Sequence, residues 1–197
     1  MARKAGRTPE ETRRALLDAA ATVIRTRGIA ASLDEIAREA EVSKGGLLYH
    51  FAAKDDLVRA LAHDLLETFR AQVAAAVDPA DQAPGGLVRA YVRACLASSH
   101  DEVEVRESIA LVTQLSTLPE IAALARADTR RWTAELCADG LPEHVLTLVV
   151  AAADGASTAP LWGGALLPAE ARLLERQLVR LTLDQELWPR LDPGPAS

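Results

Sequence analysis

A short segment between residues 32 and 54 gathers the side chains best suited to contacting a nucleic acid. A lysine there can donate to guanine O6 and N7 or to phosphate, and serine, tyrosine and histidine can donate to phosphate oxygens. Two adjacent glycines destabilise a helix by roughly 2 kcal/mol relative to alanine, which fits a surface that another molecule approaches closely. The segment therefore predicts DNA-contacting residues at Ser32, Ser43, Lys44, Gly45, Gly46, Tyr49, His50 and Lys54.

Two short helices are predicted to position these side chains. Ser32 and Glu35 stand at capping-box spacing, so the first helix is expected to begin there, and apolar residues then recur at i, i+3, i+4 and i+7. Ser43 can cap the second helix. The apolar residues expected to face the core from that helix are Leu47, Leu48 and Phe51. Two helices joined in this way form a helix-turn-helix, whose second helix enters the major groove of DNA.

The segment from about Thr12 to Leu61 resembles the tetracycline-repressor (TetR) family of bacterial transcription regulators. The string that carries the resemblance, V-S-K-G-x-L-x-Y-H-F-x-x-K-x-x-L, begins at Val42 and is specific to that family. Two positions depart from its commonest form. Glu41 stands where a turn glycine is usual and is expected to strain the turn, and Leu48 stands where a tyrosine often contacts phosphate.

The resemblance implies a homodimer whose DNA affinity a small molecule controls. Family members pair their last two helices across a two-fold axis, and two-fold symmetry predicts a near-palindromic operator with half-sites about one turn (~34 Å) apart. Ligand binding is implied to move the fourth helix, residues 55–77, and to release the repressor. The last two predicted helices carry more apolar residues than one buried stripe needs, which fits this pairing. These residues are Leu146, Leu148, Val149, Val150, Leu173, Leu174, Leu178, Leu181 and Leu183.

Large apolar side chains and few convergent charges between residues 86 and 162 are typical of a cavity for a largely hydrophobic ligand. Tryptophans in this region are equally compatible with plain core packing. The candidate ligand-binding residues are Tyr91, His100, Gln114, Trp132 and Trp162.

Composition predicts an all-α chain, because only 4% of its 197 residues are aromatic and strand-like alternation is absent. The net charge of −6 divides unevenly: residues 1–54 carry +3 and the remainder −9, which suits a protein that meets phosphate at one end. No apolar run approaches the ~18 residues of a membrane span, and no signal-peptide pattern opens the chain. Two cysteines without CxxC spacing add to the expectation of a cytoplasmic protein.

Capping and breaking residues divide the chain into about nine predicted helices. Three of them form a DNA-binding domain at residues 1–54, and the fourth opens a ligand-binding and dimerisation domain at residues 55–197. The predicted helices cover residues 9–28, 32–40, 43–51, 55–77, 86–99, 103–115, 119–137, 142–163 and 168–187, with a kink expected at Pro160.

Two other functions stay open beside a ligand-released repressor. One is a DNA-binding regulator controlled by a protein partner. A ligand-shaped cavity in the C-terminal bundle would favour the ligand-released repressor over this alternative. An enzyme in the C-terminal bundle is the other, and it is disfavoured because no acid–base pair, nucleophile triad or phosphate loop is present. The acidic run after His100 lacks a second histidine at ligand spacing, so no metal and no cofactor are predicted.

Overall fold

The structure, a computed structural model, describes residues 7–97, 102–164, 166–192 and 194, with the backbone alone for residues 102–104, 161 and 162. The chain is 77% helical and has no strand in these ranges, which confirms the all-α prediction. Nine of the ten helices in these ranges contain seven or more residues. They are α1 (Pro9–Arg27), α2 (Leu33–Glu39), α3 (Lys44–His50), α4 (Lys54–Ala76), α5 (Gly86–Ala97), α6 (Glu102–Ser116), α7 (Pro119–Cys137), α8 (Glu143–Thr158), α9 (Pro168–Leu183) and α10 (Trp188–Leu191).

Helix α1 begins and ends at the residues that its sequence predicts. Thr8 Oγ1 accepts a hydrogen bond from the Glu11 N–H at 3.2 Å, and Glu11 Oε2 accepts from the Thr8 N–H at 2.7 Å, which completes a capping box. Pro9 fits the first helical position because it has no N–H to satisfy. Gly28 ends the helix with a φ of 86°, a conformation that favours glycine.

The ends of the later helices differ from prediction for local reasons. Helix α8 ends at Thr158 and passes into a 3-10 turn, Ala159–Trp162, because Pro160 cannot donate the next helical hydrogen bond. Helix α9 ends at Leu183, where about Leu187 was expected. The Asp184 carboxylate there accepts from the Leu187 N–H at 3.2 Å, so the chain turns before α10.

The chain divides into two compact units. Unit 1 comprises Met1–Leu66 and Ala110–Ala125, so the end of α6 and the start of α7 belong with the first helices. Its core joins apolar residues from six helices, among them Leu16, Ile24, Ile36, Leu47, Phe51, Leu57, Leu61, Leu111, Leu115 and Ile121. Burial of these stripes holds the two short helices α2 and α3 in place, because helices of seven residues are not stable alone.

Unit 2 comprises Glu67–Ile109 and Arg126–Ser197. Helix α5 lies at its centre and packs against α8 and α9. Its buried core is mainly aliphatic, with Val73, Val88, Val92, Leu96, Leu136, Val145, Val149 and Leu178 beside Trp132.

A buried arginine fastens the segment before α5 to the core of unit 2. Arg89 is fully buried, and its guanidinium donates to both carboxylate oxygens of Asp81 at 2.6 and 2.7 Å. It also donates to the carbonyls of Ala83 and Pro84 and, at 3.1 Å, to Thr182 Oγ1 on α9. Five hydrogen bonds satisfy the donors, which is the condition under which a buried charge is tolerated.

In the described part of the chain, no single helix has the length and apolar composition needed to cross a membrane. The bent pair Val105–Ser116 and Pro119–Cys137 passes that test of length and composition when the two helices are taken together.

Candidate nucleic-acid interface

The turn between α2 and α3 is closed by a Schellman motif. The Glu41 N–H donates to the Arg38 carbonyl at 3.1 Å and the Val42 N–H to the Ala37 carbonyl at 2.9 Å, which ends α2 at Glu39 with Ala40 as its C-cap. Glu41 has a φ of 57°, in the left-handed region that favours glycine. The strain that the sequence predicts at Glu41 therefore has a geometric basis.

Replacing Glu41 with glycine is expected to stabilise the protein by about 1 kcal/mol, because glycine adopts a left-handed conformation without a Cβ clash. Urea unfolding at fixed protein concentration would measure the change. Glu41→Ala is the matched control, since it removes the same charge and keeps the Cβ. If Glu41→Ala stabilised as much as Glu41→Gly, the gain would come from the lost charge, and backbone strain would be excluded as its cause.

Both predicted serines act as helix caps. Ser32 Oγ accepts from the Glu35 N–H at 3.3 Å and donates to Glu35 Oε2 at 2.8 Å, so its hydroxyl hydrogen is already engaged. Hydrogen bonds from the backbone and side chain of Ser32, and then from Arg27, lower the pKa of Glu35 to about 2. Ser43 Oγ accepts from the Gly46 N–H at 3.0 Å and keeps its own hydrogen free to donate. Ser43 can thus cap α3 and still donate to a phosphate.

The outer face of α3 carries the side chains that the sequence assigns to DNA. Tyr49 is 82% exposed, and its ring meets His50 edge to face with centroids 5.2 Å apart. Lys44 is exposed at the first position of the helix, and its Nζ lies 3.0 Å from Asp34 Oδ1 on α2. An exposed ion pair of this kind contributes roughly 0–1 kcal/mol, so Lys44 can exchange Asp34 for a phosphate or a base at little expense.

The two glycines of α3 have different surroundings. A Cβ added at Gly45 would meet no atom of the described residues within 4 Å. A Cβ added at Gly46 would lie 2.8 Å from Val42 Cγ1 and 3.2 Å from Ser43 Oγ. Because Gly45 has no side chain, another molecule can approach the backbone of α3 closely at this position. Gly46 is needed for a different reason, because a side chain there would clash with the turn before α3.

Two residues depart from the sequence interpretation. Leu48 is 41% exposed, so its assignment to the core was wrong, because it lies about 100° around the helix from the buried Leu47. Lys54 donates through Nζ to the Ile29 carbonyl in the loop before α2. That bond ties the start of α4 to this loop, and the role of Lys54 as a phosphate clamp stays a prediction.

Sequence reasoning missed two charged residues on α2. Asp34 holds Lys44 in an ion pair, and Arg38 is exposed on the same helix as a further cation. Neither apolar periodicity nor helix capping distinguishes these two positions in the sequence. Their place beside the predicted DNA-contacting residues is seen only when α2 and α3 are packed together.

The candidate ligand residues fall into separate places. Tyr91 and Trp132 meet in unit 2 with ring centroids 5.3 Å apart, and Phe69 lies 5.5 and 5.8 Å from them. Gln114 belongs to unit 1, where its Oε1 would lie 3.5 Å from a Cβ added at Gly28. His100 and the side chain of Trp162 lie outside the described residues.

Polar groups surround this aromatic cluster of Phe69, Tyr91 and Trp132. Arg70 stacks over the Trp132 ring with its Cζ 4.3 Å from the centroid, and it pairs with Asp128 at 2.6 Å and Glu135 at 3.0 Å. Tyr91 Oη donates to Asp154 Oδ1 at 2.7 Å. The indole N–H of Trp132 is buried and has no hydrogen-bond partner among the described residues, a condition that typically costs about 1–3 kcal/mol.

The protonation states of Cys95 and Tyr91 argue against nucleophilic catalysis at the aromatic cluster. Burial, and then the charge of Asp154, raises the pKa of the Cys95 thiol to about 12. Burial also raises the pKa of Tyr91. Both groups stay protonated near neutral pH, and a protonated thiol is a poor nucleophile. In the part of the chain that the structure describes, no group of three or more His, Cys, Asp and Glu side chains could hold a metal ion.

Comparisons with known proteins match both parts of the chain. The model of the bacterial regulatory proteins of the tetR family matches residues 16–61, and that of the tetracyclin repressor-like C-terminal domain matches residues 85–183. The HTH-type transcriptional regulator SrpR of Pseudomonas putida is 42% identical over 62 residues, which are 31% of this chain and 29% of SrpR. The matched part therefore spans under a third of SrpR.

Two further proteins match over longer stretches. The HTH-type transcriptional regulator BetI of Burkholderia mallei (strain NCTC 10229) is 30% identical over 136 residues, which are 66% of this chain and 68% of BetI. The multidrug binding protein EbrR, solved in complex with malachite green, has a TM-score of 0.65 at 29% identity. That alignment covers 86% of this chain and 96% of EbrR.

A helix-turn-helix with an exposed second helix, set in an all-α chain, defines a DNA-binding transcriptional regulator. The protein belongs to the tetracycline-repressor family of such regulators, as both family models and the match to BetI establish. Neither the models nor the named relatives describe an enzyme.

Proposed function

We propose that the protein is a homodimeric cytoplasmic repressor that binds a near-palindromic operator and that a small molecule releases from it. Residues 1–54 supply the DNA-binding domain in this proposal, and residues 55–197 bind the ligand and the second copy. The observation that carries it is the outer face of α3. A tyrosine that is 82% exposed, a neighbouring lysine and an open glycine together leave a surface fitted to the major groove.

Exposed leucines on α8 and α9 support the homodimer. Leu148, Leu173 and Leu183 are exposed in the single chain, whereas Leu146, Val149 and Leu178 are buried within unit 2. The exposed set thus marks the faces of these two helices that a second copy can cover. Large apolar side chains left half in water favour association, because burying the exposed half of each contributes roughly 1 kcal/mol.

Control by a small molecule has two supports. EbrR is described as a multidrug binding protein and was solved with malachite green. In this chain, the aromatic cluster holds a buried N–H without an acceptor, and such a group suits a small molecule better than a protein surface. This favours the small molecule over the protein partner.

Replacing Leu173 with glutamate is expected to convert the dimer into a monomer of 21.0 kDa and to weaken duplex binding at least tenfold, because one recognition helix alone contacts one half-site. Light scattering would give the mass, and fluorescence anisotropy on a selected operator would give the affinity. Leu167→Glu is the matched control, since Leu167 is 65% exposed but precedes α9. A wild-type protein that is monomeric at micromolar concentration would contradict the homodimer.

A further inference from the structure

We propose that the effector binds at the aromatic cluster of unit 2 and is a neutral, planar aromatic molecule whose single hydrogen-bond acceptor takes the indole N–H of Trp132. This inference rests on the proposed control by a small molecule and specifies the chemistry of that molecule. It assigns Trp132 as the residue that selects for an acceptor.

The unpartnered N–H is the observation that identifies the acceptor. Trp132 is 92% buried, and the atoms around it satisfy the other strong polar groups of the cluster. Trp188 provides a contrast, because its indole N–H donates to the Leu181 carbonyl at 2.8 Å. Since buried donors are nearly always paired, an indole N–H left without a partner marks a place where an acceptor belongs.

The charges around the cluster specify a neutral ligand. Arg70 lies over the Trp132 ring and already occupies the face on which a cation would stack. Asp128 and Glu135 pair with Arg70, Glu135 also pairs with Arg131, and Asp154 accepts from Tyr91. These five charged groups carry one negative charge in excess, which disfavours an anionic acceptor in a poorly solvated site. A carbonyl, an ether or a ring nitrogen meets both conditions.

The ring geometry specifies a planar aromatic ligand. The three rings of the cluster meet with interplanar angles of 88°, 66° and 65°, so each presents an edge to the face of another. A further aromatic ring can join such an arrangement through the same edge-to-face contacts. An aliphatic ligand would bury area there but would gain none of this orientation-dependent attraction.

Naphthalene and quinoline form a matched pair of probes, because they have nearly the same shape and differ by one ring nitrogen that accepts a hydrogen bond. Titration calorimetry at pH 8 with the full-length protein should give at least tenfold tighter binding of quinoline than of naphthalene. In Trp132→Phe the preference should fall to less than twofold, since the ring is kept and the donor is lost. Equal affinity of the two probes for the wild type, or no binding of either, would overturn the proposal.

Nitrogen-15 labelling of the tryptophan indoles gives a second readout that does not depend on affinity. Quinoline should shift the Trp132 indole proton downfield, and naphthalene should not, whereas the Trp188 signal, already bonded, should stay in place with both. A Trp132 signal already at a hydrogen-bonded position in the free protein would indicate a bound water and overturn the proposal. Binding of a selected DNA duplex by the wild type, measured without a probe, tests the proposed function separately. If DNA binding and dimerisation hold while the probe preference fails, only this inference falls and the proposed DNA-binding function stands.

Discussion

Replacing Arg89 with methionine is expected to destabilise the folded protein by about 3–5 kcal/mol. The guanidinium is fully buried and makes five hydrogen bonds, and methionine fills much of its volume without replacing any donor. The loss leaves the Asp81 carboxylate and two carbonyls without their partner in a partly buried site. Removing one member of a buried ion pair is far more damaging than removing both.

Urea unfolding at pH 7 and one protein concentration would measure this loss, with Arg93→Met as the control. Arg93 lies one turn further along α5 and donates to the Ala76 carbonyl alone, at 3.3 Å, among the described contacts. Hydrogen bonds from Arg89 lower the pKa of Asp81 below its ordinary value of 3.8. Stability from this ion pair is therefore complete above that pH and is lost as the pH falls further, so the difference in stability between Arg89→Met and the wild type should narrow in acid. It should not vanish, because the hydrogen bonds from Arg89 to the two carbonyls and to Thr182 do not titrate. A loss below about 1 kcal/mol at pH 7 would contradict the structural role of Arg89.

Leucine at Gly45 and leucine at Gly46 are expected to fail in different ways. Gly45→Leu should fold normally, because its Cβ meets open space, and should lose at least about 100-fold in DNA affinity, or ~3 kcal/mol. The new side chain would hold the groove away from the neighbouring Lys44 and Tyr49, and each lost contact is worth roughly 1–3 kcal/mol. Gly46→Leu should unfold more readily by about 1–3 kcal/mol, because its Cβ would lie 2.8 Å from Val42.

Anisotropy titration of a labelled operator at fixed salt, together with urea unfolding of the same preparations, would separate the two effects. Gly45→Ala is the mild control and should bind DNA nearly as the wild type does. Full DNA affinity in a folded Gly45→Leu would rule out the outer face of α3 as the recognition surface.

Local sequence signals predicted the start of the helices well, because the groups that cap a helix are neighbours in the chain. Thr8 with Glu11 and Ser32 with Glu35 form the capping boxes that their spacing indicates. The strain at Glu41 was predicted from the family resemblance, because a turn glycine is usual at that position, and its φ of 57° agrees with that prediction. The end of α9 was harder to predict, because Asp184 ends the helix although its sequence has no glycine or proline there.

Features that depend on distant parts of the chain could not be predicted. Arg89 meets Thr182 across 93 residues, and nothing in the local pattern of α5 distinguishes it from a surface arginine. Gln114 was grouped with the ligand residues by its position in the chain, yet its helix contributes that turn to unit 1. The unpaired indole N–H of Trp132 could not be predicted either, because the absence of an acceptor depends on which described residues pack around it.

Selection of bound duplexes from a random DNA library, followed by anisotropy titration, tests the central claim most directly. We predict a near-palindromic enriched sequence that binds about 10³-fold or more tightly than a scrambled duplex at the same salt concentration, with two chains per duplex. Lys44→Ala should weaken that complex by about 1–3 kcal/mol. Failure to enrich any sequence, with equal affinity for selected and scrambled duplexes, would contradict sequence-specific DNA binding by this protein.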